Sequence, residues 1–150
     1  MVLYLGSGDV MRSARTFPGS GVVGHTLFWY VAESEDEAAY LTALLNAPCL
    51  RQAFFESRDS GRDFQLHPWR KVPIPKYDSA DPRHLELAQL CARAEQAAEA
   101  AAEQAMEEFP KASQVKLSNA VRKRLSTNGI SRSIDKIATQ LLPNQAVTGP

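Results

Sequence analysis

Apolar and polar positions change period several times along the chain, and each change marks an element. Glycines at 6, 8, 19 and 21 punctuate the first 21 residues, so "YLGSGDV" and "FPGSG" read as turns around short strands. "VVGHTLFWYVAES" is rich in β-branched and aromatic residues, and 22–32 reads as a strand. Alternation puts His25, Leu27, Trp29 and Val31 on one face and Thr26, Phe28 and Tyr30 on the other. Both faces are largely apolar, which predicts an inner strand.

The period turns helical at "SEDEAAYLTALLNAP". Ser34 is a helix cap, and Glu37 three residues on completes a capping box. Glu33, Glu35, Asp36 and Glu37 sit at the favourable end of the helix dipole, so their cluster has a structural explanation. Leu41, Leu44 and Leu45 form the stripe to be buried. Asn46 and Pro48 interrupt the helix, and Pro48 opens a second short one, "PCLRQAFFES". Residues 58–80 lose helical periodicity. They hold Gly61, Pro68, Pro73 and Pro75, and "KVPIPKY" must be extended because each residue before a proline is pushed out of the α region.

Asp81 caps the next helix, with Pro82 at its first position, and that helix runs to about Glu108. Leu87, Cys91, Ala94, Ala98, Ala101 and Ala105 form a heptad seam of mostly small residues, which permits close helix approach. Glu95, Glu99, Glu103 and Glu107 make a second column, four apart, whose like charges call for a basic neighbour or for solvent. "SQVKLSNAVRKRLSTNG" predicts a helix with Leu117, Val121 and Leu125 inward and Gly129 at its stop. A last helix over about 132–142 buries Ile134, Ile137, Ala138 and Leu141 and ends at Pro143. The expected fold class is α+β: a small N-terminal and central sheet packed by the 35–57 helices, then a long C-terminal helical hairpin. The expected units are 1–80, 81–143 and a frayed tail at 144–150.

Composition narrows function mainly by exclusion. An apolar fraction of 44% and a charged fraction of 23% are ordinary for a globular chain of 150 residues, and the net charge is zero. No global field therefore marks a nucleic-acid or membrane partner, but the charge is unevenly distributed. From 51 to 76, six cations face three anions; from 78 to 108, eight acids face two arginines; from 111 to 136, seven cations face Asp135 alone. Cys49 and Cys91 lie far apart without Cys-x-x-Cys spacing, so neither a disulfide framework nor a zinc site is expected. No leader is visible and no apolar run reaches about 18 residues, which makes the cytoplasm the expected compartment and excludes a membrane partner.

Candidate chemistry is sparse. His25, His67 and His84 share no metal-ligand spacing. His25 reads as a hydrogen-bonded core residue. His84, in the first turn of a helix, is expected at the surface or beside the cap. His67 is set apart by its neighbours Trp69 and Arg70. "GSGDV" lacks the third glycine and the βαβ context of a dinucleotide site, so it reads as a turn. No nucleophile stands beside a base, and catalysis by this chain alone is not expected. The functional candidate is "GRDFQLHPWRKVPIPKYD". Arginine offers a planar fork for phosphate or guanine, Trp69 could stack, and the prolines lower the ordering cost of binding. The competing reading has Trp69 in the core and Arg58, Arg62, Arg70 and Lys71 paired with local acids.

"EDEAAYLTALLNAP", "GRDFQLHPWRKVPIPKYD" and "DPRHLELAQLCARAE" together resemble the C-terminal region of adenine-specific DNA methyltransferases and single-chain restriction–modification enzymes, including the TaqI-like specificity domains. Ala39 to Pro48, Arg62 to Phe64, Pro73 to Asp78 and Asp81 to Glu95 match the family pattern in order, and the resemblance spans about 22–110. The tail "RKRLSTNGISRSIDKIATQLLP" is also similar to the end of such enzymes. These motifs are mostly structural. The family's Asn-Pro-Pro-Tyr catalytic motif is missing from the sequence, and its Phe-x-Gly-x-Gly cofactor pattern occurs only as the "FPGSG" at 17–21 that reads as a turn. The resemblance therefore implies a target-reading portion without a catalytic domain: part of a larger chain, a separate subunit or a gene remnant. It implies double-stranded DNA and a catalytic methyltransferase domain or subunit as partners. S-adenosylmethionine would belong to the parent enzyme and no cofactor to this chain. The expected DNA contacts are Arg58, Arg62, His67, Trp69, Arg70 and Lys71, and a second basic face at Lys116, Arg122, Lys123 and Arg124 is expected to meet either phosphates or another subunit. The alternative is a helical assembly module without direct DNA contact, with a homo-oligomer formed through the 85–108 helix.

Overall fold

The structure, a computed structural model, describes residues 1–6, 11–17, 19, 26–56 and 72–142. Within them the chain forms β1 (Val2–Leu5), β2 (Ser13–Arg15), β3 (Leu27–Tyr30), α1 (Glu35–Asn46), a 3-10 turn (Pro48–Leu50), α2 (Arg51–Glu56), α3 (Pro82–Glu108), α4 (Gln114–Leu125) and α5 (Ile130–Leu141). This is the expected α+β class, mostly helical.

The sheet is antiparallel in the order β2-β1-β3, with Leu3 opposite both Ala14 and Trp29. Opposed residues share a face, so Val2, Tyr4, Phe28 and Tyr30 point to the core, where the Tyr4 and Phe28 rings meet edge to face at 6.0 Å. The other face carries Leu3, Leu5, Leu27 and Trp29. The expectation of an inner strand is corrected here. Among the described residues β3 is an edge strand, and Trp29 and Val31 are 55% and 63% exposed. Residues 22–25, including His25, lie outside the described residues.

α1 is the centre of the core. The Ser34 hydroxyl accepts from the Glu37 N–H at 3.0 Å, and the Glu37 carboxylate accepts from the Glu33 N–H at 2.5 Å and the Tyr30 hydroxyl at 3.1 Å. Only the serine half of the expected capping box is thus in place; the Glu37 carboxylate reaches one residue further back, to Glu33, and so ties the helix to the end of β3. Leu41, Leu44 and Leu45 are buried as expected, and α1 packs against β1, β2, α3 and α5. Beyond α2, residues 72–80 run without helix or strand, as the prolines require, held by a bond from the Tyr40 hydroxyl to the Pro75 carbonyl at 2.9 Å.

α3 is the scaffold of the C-terminal half. At about 1.5 Å per residue it is roughly 40 Å long, and α4 and α5 both pack along it. The return arm of the hairpin is therefore two helices laid in succession, broken at 126–129. α4 stops at Leu125 with Ser126 as its cap, not at Gly129 as expected, and Gly129 adopts the left-handed conformation (φ 76°) that starts α5. α5 begins two residues earlier than its apolar pattern alone predicts, because Gly129 serves as the cap of α5. Its stripe of Ile134, Ile137, Ala138 and Leu141 is buried as expected.

His84 lies beside the helix cap, one of its two expected places, with Nε2 3.9 Å from Asp81 Oδ2. It is 4% exposed, not at the surface. Tyr40 of α1 packs its ring 4.5 Å away, Tyr77 stacks at 6.1 Å, and the Asp78 N–H donates to His84 Nδ1 at 2.9 Å, which requires that nitrogen to be unprotonated. The ring is a satisfied core group that locks the proline segment to α3.

Candidate nucleic-acid interface

Arg58, Arg62, His67, Trp69, Arg70 and Lys71 lie outside the described residues. The second expected basic face lies on α4, and its geometry is defined. The Ser113 hydroxyl caps α4 by accepting from the Lys116 N–H at 3.4 Å. No acidic residue occurs between 109 and 134, while Arg122, Lys123 and Arg124 fill the last turn, where the helix dipole favours cations. No residue of α4 is fully buried. Leu117, Val121 and Leu125 are half-buried, as expected for the inward side.

The four cations divide by what they touch. Arg124 is half-buried and ion-paired with Glu108 of α3, so its fork is engaged within the protein. Arg122 is exposed and donates to Asn119 Oδ1 at 3.1 Å. Lys116 is exposed and lies 4.2 Å from the centre of the Phe109 ring, a cation–π contact that orients its stem and leaves its donors in solvent. Lys123 is exposed. Lys116 and Lys123, seven residues apart, lie on one side of α4 about 10 Å from each other along its axis. Lys116, Arg122 and Lys123 can donate to a polyanion; Arg124 first has to leave Glu108.

The glutamate column of α3 is not neutralised by this arm. Glu99, Glu103 and Glu107 are exposed to solvent, and Glu95 pairs with the sheet. Arg15 of β2 donates from Nε to Glu95 Oε1 at 2.9 Å and from Nη2 to Oε2, and Nη1 reaches the Glu35 carbonyl at 3.5 Å. That bidentate pair raises the Arg15 pKa further and clamps β2 onto α3 across 80 residues of sequence. Nothing local in "RSART" signals it.

Beside the clamp, where α4 and α5 part, a cavity of about 1170 Å³ opens between α3, α1 and the sheet. Its wall includes Arg15, Glu95, Glu99, Arg122, Val31 and Ile134. Positive and negative groups alternate around it, so it selects no single charge. Cys91 also borders it; the side chain is 3% exposed, and burial, aided by the nearby Glu95, pushes its thiol up to about 12. Among the described residues no group of His, Cys, Asp or Glu could hold a metal ion, and no helix is long and apolar enough to cross a membrane. No protein-family model, no curated protein and no solved structure matches this chain.

Proposed function

We propose that the chain is the non-catalytic target-recognition portion of an adenine-specific DNA methyltransferase or restriction–modification enzyme, and that its hairpin return arm holds double-stranded DNA by the phosphates. The observation that carries this reading is α4: an exposed helix with Lys116, Arg122 and Lys123 facing solvent and no carboxylate on the helix to oppose them. The motif resemblance from 22 to 110 supplies the enzyme class. S-adenosylmethionine and the methyl-transfer chemistry belong to the catalytic partner. Phosphate contacts position such a domain, and base-edge contacts from the 58–71 stretch specify the site. Titration of a labelled duplex at several salt concentrations tests this. Binding that weakens linearly in log salt supports it, and no binding at low salt refutes it.

The second reading, an assembly module, is favoured by a different surface. Part of the seam expected to meet another chain is occupied internally, since Leu87, Cys91, Ala101 and Ala105 are buried where α3 packs against α1, α4 and α5, while Ala94 and Ala98 are half-buried and border the cavity. The outer sheet face offers an assembly partner the exposed Trp29, with Val31 just beyond the end of β3. Sedimentation of the chain and of a Trp29→Ser variant separates the readings, because an assembly through this face dissociates on that change.

A further inference from the structure

The phosphate-binding arm does not end at α4. On α5, helical geometry places Arg132, Lys136, Thr139 and Gln140 within about 100° of one another, opposite the buried Ile134, Ile137, Ala138 and Leu141. All four are exposed. The one carboxylate of α5 is directed elsewhere. Asp135 Oδ1 accepts the Cys49 N–H at 2.6 Å, and the residue is half-buried against the 3-10 turn at Pro48–Leu50. The outer side of α5 is thus cationic and polar, with its only acid bonded inward. α5 and α4 both pack on α3; Arg132 and Lys136 lie opposite the buried stripe of α5, Lys116 and Lys123 lie opposite the half-buried Leu117, Val121 and Leu125 of α4, and Arg122 sits on the flank, bordering the cavity beside Glu95 and Glu99.

From this geometry we infer that Arg132 and Lys136 of α5 are phosphate contacts continuous with Lys116, Arg122 and Lys123 of α4, forming one duplex-binding track along the return arm. This rests on the DNA reading above and extends it to residues that the sequence pattern had assigned only to a packing helix. Two helices of 12 residues give about 18 Å each, and laid in succession they match roughly one 34 Å duplex turn. The break at Gly129 is the bend between the two halves of the track. Five cations neutralising five phosphates give a slope of about −4.5 in log K against log salt, and the three of α4 alone give about −2.7. The contacts are to backbone, so they act alike on every duplex sequence.

The test is a salt titration of a fluorescent 30-base-pair duplex of arbitrary sequence, with the full chain and two double variants. The expected result is that Arg132→Ala with Lys136→Ala makes the slope shallower by about 1.8, while Arg132→Lys with Lys136→Arg retains the wild-type slope. Thermal unfolding of both variants checks that the exposed substitutions leave the fold intact. Wild-type binding with a slope that the alanine pair does not change overturns the inference and leaves the DNA reading standing. Absence of wild-type binding at low salt overturns that reading, and this inference with it.

Discussion

α1 and α4 are both 12 residues long and both capped by a serine, yet they meet opposite fates. α1 buries nine residues between the sheet, α3 and α5; α4 buries none fully and lies on α3 alone among the helices and strands it packs against closely. α1 begins with three acids, one of which, Glu37, is drawn into the core as a hydrogen-bond acceptor. α4 ends with three cations, two of which stay in water. Caps and period make a helix in either place. What packs on its second side decides whether the helix is structural or displays charge. In this chain α1 is sandwiched and α4 is left open.

That contrast is broken most severely in α1. Leu44 is fully buried, and Leu44→Ala should cost about 2–5 kcal/mol in a urea titration, whereas Leu117→Ala on half-buried α4 should cost about 1 kcal/mol or less. A comparable loss at both positions would mean that α4 is as deeply packed as α1. The caps sharpen the same point. Ser34→Ala should lose about 1 kcal/mol, because its 3.0 Å bond anchors a core helix, and Ser113→Ala should lose only a few tenths through its 3.4 Å bond. At the break, Gly129→Ala forces a side chain into the left-handed region and should cost roughly 1 kcal/mol, read as a lowered melting temperature.

Alkaline pH probes the buried side differently. Burial raises the folded Cys91 thiol to about 12, while an unfolded cysteine titrates near ~8.5. The stability this group contributes is complete below the unfolded value and is lost as pH climbs toward 12. Urea midpoints at pH 8 and pH 10 should therefore fall further for the wild type than for Cys91→Ala; an equal fall would refute the burial of that thiol. The smallest effect belongs to Thr42, whose buried hydroxyl has no hydrogen-bond partner among the described residues. Thr42→Val should be neutral or stabilising by up to about 1 kcal/mol, since it removes an unsatisfied group at nearly constant shape.

Much of this was legible from local pattern. Ser34 and Glu37, Asp81 with Pro82, and the stripe from Ile134 to Leu141 announce their helices because caps and periodicity act within a few residues. The solvated cations of α4 were legible too, since no acid lies near them in sequence. Three features were not. Arg15 finds Glu95 only when β2 is laid on α3, and no neighbour of either residue encodes that encounter. His84 reads as a surface or cap-adjacent residue, and its burial follows only when Tyr40 and Tyr77 close over it. β3 reads as an inner strand because its residues are apolar on both faces, whereas apolar Leu27 and Trp29 lie on the outer face of a three-stranded sheet.

The most direct measurement is backbone amide shift mapping by NMR as a short duplex is added to the whole chain at low salt. The DNA reading predicts that the largest perturbations fall on the exposed side of α4, around Lys116, Arg122 and Lys123, and in the 58–71 stretch; the extended track adds Arg132 and Lys136 of α5, and the core side of α1 stays unmoved. Perturbations confined to the outer sheet face around Trp29, or none at all, would contradict it.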